Sequence, residues 1–131
     1  GLPDAPPPAT DDEVTAAAEQ AAEAAPGTVA LDDFPDLLDH LSAVHPSRYG
    51  ALTDGISAVF LRGVRPVPDQ ATALRLVVLA DRLYDREIPV MASGVPFDRI
   101  FSEEMLAGGY RKKYLRAISR LVALARDGGS R

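Results

Sequence analysis

Residues 57–97, SAVFLRGVRPVPDQATALRLVVLADRLYDREIPVMASGVPF, constrain the fold more than any other stretch of the chain. Val59-Phe60-Leu61 and Val90-Met91-Ala92 are short apolar runs, the length and character of buried strands. Between them, Asp69 to Asp85 reads as a helix that is apolar around most of its girth, capped by Asp69. Two buried strands joined through one helix lie parallel, because a crossover of that length cannot close a hairpin. The expected fold is therefore α/β: a helix-rich domain with a small, mainly parallel sheet, built on a βαβ unit at residues 57–93 and flanked by helices. A helix so apolar is sandwiched rather than laid on a surface, with Arg75 and Arg82, seven residues apart, sharing a narrow polar stripe.

The rest of the chain divides by punctuation. Gly1 to Thr10 is a Pro-rich leader expected to be extended or disordered. Residues 11–27 are an Ala/Glu helix closed by Pro26-Gly27; its apolar residues are mostly alanine, so the sequence leaves open whether it docks. Residues 28–127 form the α/β domain, and residues 128–131 are a frayed tail. Within the domain, Thr28 to Leu31 reads as a short edge strand. Phe34, Leu37, Leu38 and Leu41 recur at helical spacing behind Asp33, a candidate cap. The last helix, from Tyr110 to about Arg126, carries Tyr110, Tyr114, Ile118, Leu121, Val122 and Ala125 on its apolar face and Lys112, Lys113, Arg116 and Arg120 on the other.

Charge is uneven. Residues 1–47 hold ten acids and no Lys or Arg, whereas residues 48–131 hold all fourteen bases and nine acids. Either the halves attract one another in the fold, or the asymmetry marks a functional polarity. The chain has no cysteine, which excludes disulfides, thiolate chemistry and cysteine zinc sites. No window is long and apolar enough for a membrane span, and the expected compartment is the cytoplasm.

A search for chemistry yields no catalytic residue and no metal site. There is no G-x-x-x-x-G-K-[ST]; Gly108-Gly109-Tyr110-Arg111-Lys112-Lys113 places glycines before lysines at the wrong spacing and lacks the Ser/Thr that would ligate magnesium. Where acids would follow a nucleotide-core strand, Arg62 and Gly63 stand instead. His40 and His45 lack a metal-binding frame and read as surface or capping residues, and Ser93 reads as a polar strand end at a turn. Arg75 is the most suggestive single residue. Its guanidinium is either a phosphate sensor or finger at an interface, or a snorkelling group paired with Asp69, Asp81 or a neighbour. The Lys112/Lys113/Arg116/Arg120 stripe is either a solvated face or a grip for phosphates or an acidic partner; aromatic stacking on nucleic-acid bases is not expected.

Three stretches in order resemble the C-terminal part of the P-loop ATPases that include the bacterial cell-division protein ZapE and its mitochondrial relatives. Ala73 to Asp85, A-L-R-L-V-V-L-A-D-R-L-Y-D, is similar to that family's A-R-R-F-I-x-L-x-D-x-L-Y-D. Ile88 to Pro96, I-P-V-M-A-S-G-V-P, is similar to V-K-L-x-x-S-A-x-x-P, and Arg116-Ala-Ile-Ser119-Arg120-Leu121 to R-T-x-S-R-L. Phe34-x-x-Leu37-Leu38 and Tyr49 fit more weakly. Leu74 replaces the first arginine of the R-R pair, and Arg48 replaces an Asp before Tyr49.

The resemblance implies an accessory domain of an ATP- and magnesium-dependent enzyme, packed against an upstream nucleotide-binding domain whose P-loop and Walker B acids are not in this sequence. It implies a protein client, the FtsZ division ring or another. It makes Arg75, Arg116 and Arg120 candidates to face nucleotide or a neighbouring subunit. The alternative is a stand-alone interaction module in which Lys112 and Lys113 grip a partner. On either reading the chain is expected to be inactive by itself, and it reads as a fragment of something longer.

Overall fold

A computed structural model describes residues 4–129. The start of the Pro-rich leader (residues 1–3) and the end of the expected tail (residues 130–131) lie outside the described residues. The elements are α1 (Asp11–Ala24), β1 (Val29–Asp33), α2 (Phe34–Ser42), a 3₁₀ turn (Pro46–Arg48), α3 (Tyr49–Leu52), β2 (Ala58–Val64), α4 (Gln70–Asp85), β3 (Val90–Gly94), a 3₁₀ turn (Phe97–Arg99), α5 (Glu103–Leu106) and α6 (Arg111–Gly129). The strands form one parallel sheet in the order β1-β2-β3, with Val29 opposite Ala58 and Val59 opposite Val90.

The βαβ unit is therefore present as expected, extended by β1 at the sheet's edge. Alternation along each strand sends residues to opposite faces. Val59, Leu61 and Val90 face a large core closed by α2, α4 and α6. Ala58, Phe60 and Met91 face a smaller one closed by Val14 and Ala18 of α1. This is why α4 is apolar nearly all round: it touches α2, α3 and α6 as well as covering the core. Asp69 does cap it, its carboxylate accepting from Thr72 N–H at 2.8 Å, and that bond holds the carboxyl below its ordinary pKa.

Asp33 stands at the N-cap of α2 but makes no side-chain cap bond; its carboxylate instead accepts from Arg62 Nε at 2.9 Å, tying the ends of β1 and β2 together. His45 caps the first 3₁₀ turn by accepting from Ser47 N–H. Ser93, fully buried, accepts from Gly63 N–H at 3.1 Å and donates to Asp11, so a strand-end hydroxyl links β3, β2 and α1. Before α1, Ala9 N–H donates to Ala92 O at 3.1 Å, bringing the chain alongside β3.

The start of α1 is a capping box: Thr10 Oγ1 accepts from Glu13 N–H at 3.1 Å and Glu13 accepts from Thr10 N–H at 3.0 Å. These bonds hold the Glu13 carboxyl below its ordinary pKa. Since α1 buries little beyond Val14 and Ala18, its first turn is sensitive to the cap. Thr10→Ala is expected to speed amide exchange in α1 about fivefold, the ratio carried by a typical cap loss of about 1 kcal/mol. Hydrogen exchange followed by mass spectrometry checks this, with α4 amides as the unaffected control.

Candidate functional site

The sequence candidates separate into two places on α4. A helix turns about 100° per residue, so Arg75 and Asp81, six residues apart, lie about 120° apart around its axis. Asp81 faces α6. There it receives Arg120, whose Nη1 lies 2.5 Å from its carboxylate, and Arg116, whose Nη2 lies 3.7 Å away. Arg116 and Arg120 are one turn apart on α6 and so project side by side.

The three side chains differ in exposure: 18% for Asp81, 27% for Arg120 and 52% for Arg116. Arg120 is further fixed by Tyr84, whose ring lies 4.9 Å from the guanidinium carbon. One carboxylate thus holds two guanidinium groups, which leaves an uncompensated positive charge on the more exposed and more loosely held arginine. Close by, Arg82 pairs with Asp85 at 2.9 Å, so that charge is internally balanced.

Arg75 lies apart from this cluster, half-buried and near Tyr49 and Asp69, whose ionised forms its charge favours. It joins none of the ion pairs among the described residues. The two acids that sequence spacing offered as its partners are engaged elsewhere: Asp69 caps α4 and Asp81 holds α6. Lys112 and Lys113 are exposed on the first turn of α6, with Lys113 Nζ 5.7 Å from the centre of the Tyr110 ring.

The basic stripe is therefore not a uniform solvated face. Its lysines are exposed and join no ion pair among the described residues, while its arginines stitch α6 to α4. Of the two tyrosines expected on the apolar face of this helix, only Tyr114 is buried. Tyr110 and Tyr84 are 39% and 43% exposed, whereas Tyr114 is buried and stacks on Phe101 at 4.7 Å. Burial raises the Tyr114 phenol above its ordinary pKa, with Tyr110 adding to the shift.

Sequence reasoning missed Tyr84 as a contact for Arg120 and Asp81 as the common anchor for Arg116 and Arg120. The available signal was i, i+4 spacing of the arginines. What was lacking was the knowledge that α4 and α6 are neighbours, which periodicity within one helix cannot supply.

A family model described as AFG1-like ATPase matches residues 2–128. No curated protein matches the chain, and no solved structure does.

Proposed function

The chain belongs to the AFG1-like ATPase family, and from that membership we propose that it serves as an accessory α/β domain of an ATPase acting on a protein client. In this reading a P-loop-bearing region supplies the phosphate cradle. Arg116, with Arg120 behind it, faces the nucleotide or a neighbouring subunit. Arg75 serves the same boundary from the other side of α4. A division-ring protein such as FtsZ is one client this family reading would suit.

The observation that carries the proposal is the asymmetry of the arginine pair. Arg120 is held by Asp81 and Tyr84. Arg116 sits at the outer limit of ion-pair distance and is half-exposed, so a phosphate oxygen could draw it away at little cost. Asp81 and Arg120 then act as positioning residues, and Arg116 is the group that reaches. The described residues contain no group of three or more His, Cys, Asp or Glu side chains placed to hold a metal ion. In this reading magnesium and the phosphate cradle come from the P-loop-bearing region, and Arg116 reaches the phosphates from this domain.

In the whole ATPase, Arg116→Ala is expected to lower ATP turnover at least about tenfold, a conservative figure for an arginine that meets transferring phosphate. Arg116→Lys should recover part of it, and unfolding midpoints should be unchanged. Steady-state phosphate release measures this, and unchanged turnover in the folded Arg116→Ala protein sinks the assignment.

A second reading is favoured by the exposed Tyr110 and Lys113 pair with Lys112 beside it, an amphipathic surface suited to an acidic protein. It predicts the opposite pattern: reversing Lys112 and Lys113 to Glu weakens client binding while basal turnover stays the same.

A further inference from the structure

Between the sheet and helices α2, α3 and α4 lies a cavity of about 410 Å³, open at one side. Its interior is almost wholly apolar: Val59 and Leu61 of β2 and Leu76 and Leu79 of α4 form the walls. The volume falls in the range of sites that accept a ligand or an inserted side chain group.

The mouth has a different character. It is edged by Ala30 and Asp32 of β1, Asp36 and His40 of α2, and Leu52 at the end of α3. Asp32 and Asp36 join none of the ion pairs among the described residues. The apolar wall strips part of the hydration of Asp32 and raises its pKa; nearby His40 opposes that shift, while Asp33 and Asp36 add to it. Leu52 stands 37% exposed on the rim. The acids belong to residues 1–47, which hold no Lys or Arg.

The backbone supplies the third feature. β1 is the edge of the sheet, and its outer side pairs with no other strand among the described residues. Ala30 and Asp32, two residues apart on that strand, both face the cavity. An extended segment laid along β1 would continue the sheet. Its alternate side chains would then fall over the cavity mouth and the two carboxylates.

We propose that the β1 edge and the cavity behind it form a docking site for an extended peptide of a partner protein, one that sets an apolar side chain beside Lys or Arg. Main-chain hydrogen bonds to β1 give adhesion, the cavity takes the apolar side chain, and Asp32 and Asp36 take the cation. A cation there also restores to Asp32 the favourable surroundings that the apolar wall removes. The site is on the opposite side of α4 from the Arg116–Asp81–Arg120 cluster and does not depend on the role given to that cluster.

The test uses a fluorescein-labelled peptide of about ten residues with alternating leucine and lysine, titrated with this chain by fluorescence anisotropy. Micromolar binding is expected, weakened at least about tenfold when glutamate replaces the lysines or serine replaces the leucines. Asp36→Lys, on an exposed helical position, and Ala30→Leu, which fills the mouth, should each weaken binding about tenfold. β1 amides should gain hydrogen-exchange protection in the complex. The proposal is overturned if the lysine and glutamate peptides bind alike, or if Asp36→Lys leaves affinity unchanged in a protein of unaltered melting temperature. It is equally overturned if octylamine alone matches the peptide, which would mark a small-amphiphile pocket instead.

Discussion

Gly94→Ala should lower the unfolding free energy by more than about 3 kcal/mol, a substantial part of the roughly 5–15 kcal/mol that holds a domain folded. Gly94 ends β3 with φ at +102°, a conformation that L residues with a side chain rarely adopt. A Cβ there would also collide with the backbone carbonyl, nitrogen and carbon of Val64 on β2. Those atoms belong to a strand and cannot swing aside as a side chain can. The close approach has a purpose in the fold. Val95 N–H donates to Val64 O at 2.9 Å across an irregularity in β2 between Leu61 and Val64. Gly63, with φ at +71°, turns its N–H to Ser93 at the same place.

The control is Gly55→Ala. Gly55 also has positive φ, at +72°, but nothing lies within 4 Å of the site where its Cβ would be. It should cost only the conformational penalty of about 1–2 kcal/mol. Urea unfolding of the two variants separates strain from collision. Equal losses would mean that the approach to Val64 is not what requires glycine.

The second large effect is expected at Tyr49. Its side chain is fully buried, and its hydroxyl donates to Leu41 O at 2.7 Å, joining α3 to the end of α2. Tyr49→Ala should cost about 3–5 kcal/mol, the range for deleting a large buried ring. Tyr49→Phe keeps the volume and removes one hydrogen bond. Leu41 O still accepts from Val44 N–H, so the loss should be only about 1 kcal/mol. A near-equal loss in both variants would place the value of Tyr49 in its hydroxyl rather than its packing.

The same residue predicts a pH dependence. Burial raises the Tyr49 phenol above its ordinary pKa, although Arg75 opposes the shift. The folded state therefore holds its proton more tightly than the unfolded chain. Stability is full below the unfolded value of about 10 and declines as pH rises past it. Tyr49→Phe should flatten that alkaline decline, leaving the smaller share due to Tyr114, whose phenol is raised in the same direction.

Much of the fold was legible because the relevant signals are local. Val59 to Leu61, the capped apolar helix and Val90 to Ala92 demanded a parallel βαβ unit, and the structure has one. Asp69 precedes the central helix and caps it as read, whereas Asp33 stands at the N-cap position of α2 but bonds Arg62 instead. The edge strand was legible in place, although it runs on to Asp33 because Arg62 of β2 draws that residue into the ladder. The site was less legible. Arg116 and Arg120 were identifiable as a pair at helical spacing, but their meeting with Asp81 and Tyr84 crosses 39 residues in the first case and 36 in the second. Tyr84, in the helix read as apolar around most of its girth, is 43% exposed, with its ring against Arg120 of α6.

By itself, the sequence determined the α/β class, the parallel connection, the helix starts and the family, because periodicity, capping chemistry and chain connectivity act over a few residues at a time. Only the tertiary structure decided which arginine is held and which is free, and that α1 seals the second face of the sheet. It alone also revealed an apolar cavity with an acidic rim behind the β1 edge. Those features depend on which faces meet and how well they fill the space between them, and packing of that kind is a property of elements far apart in the chain.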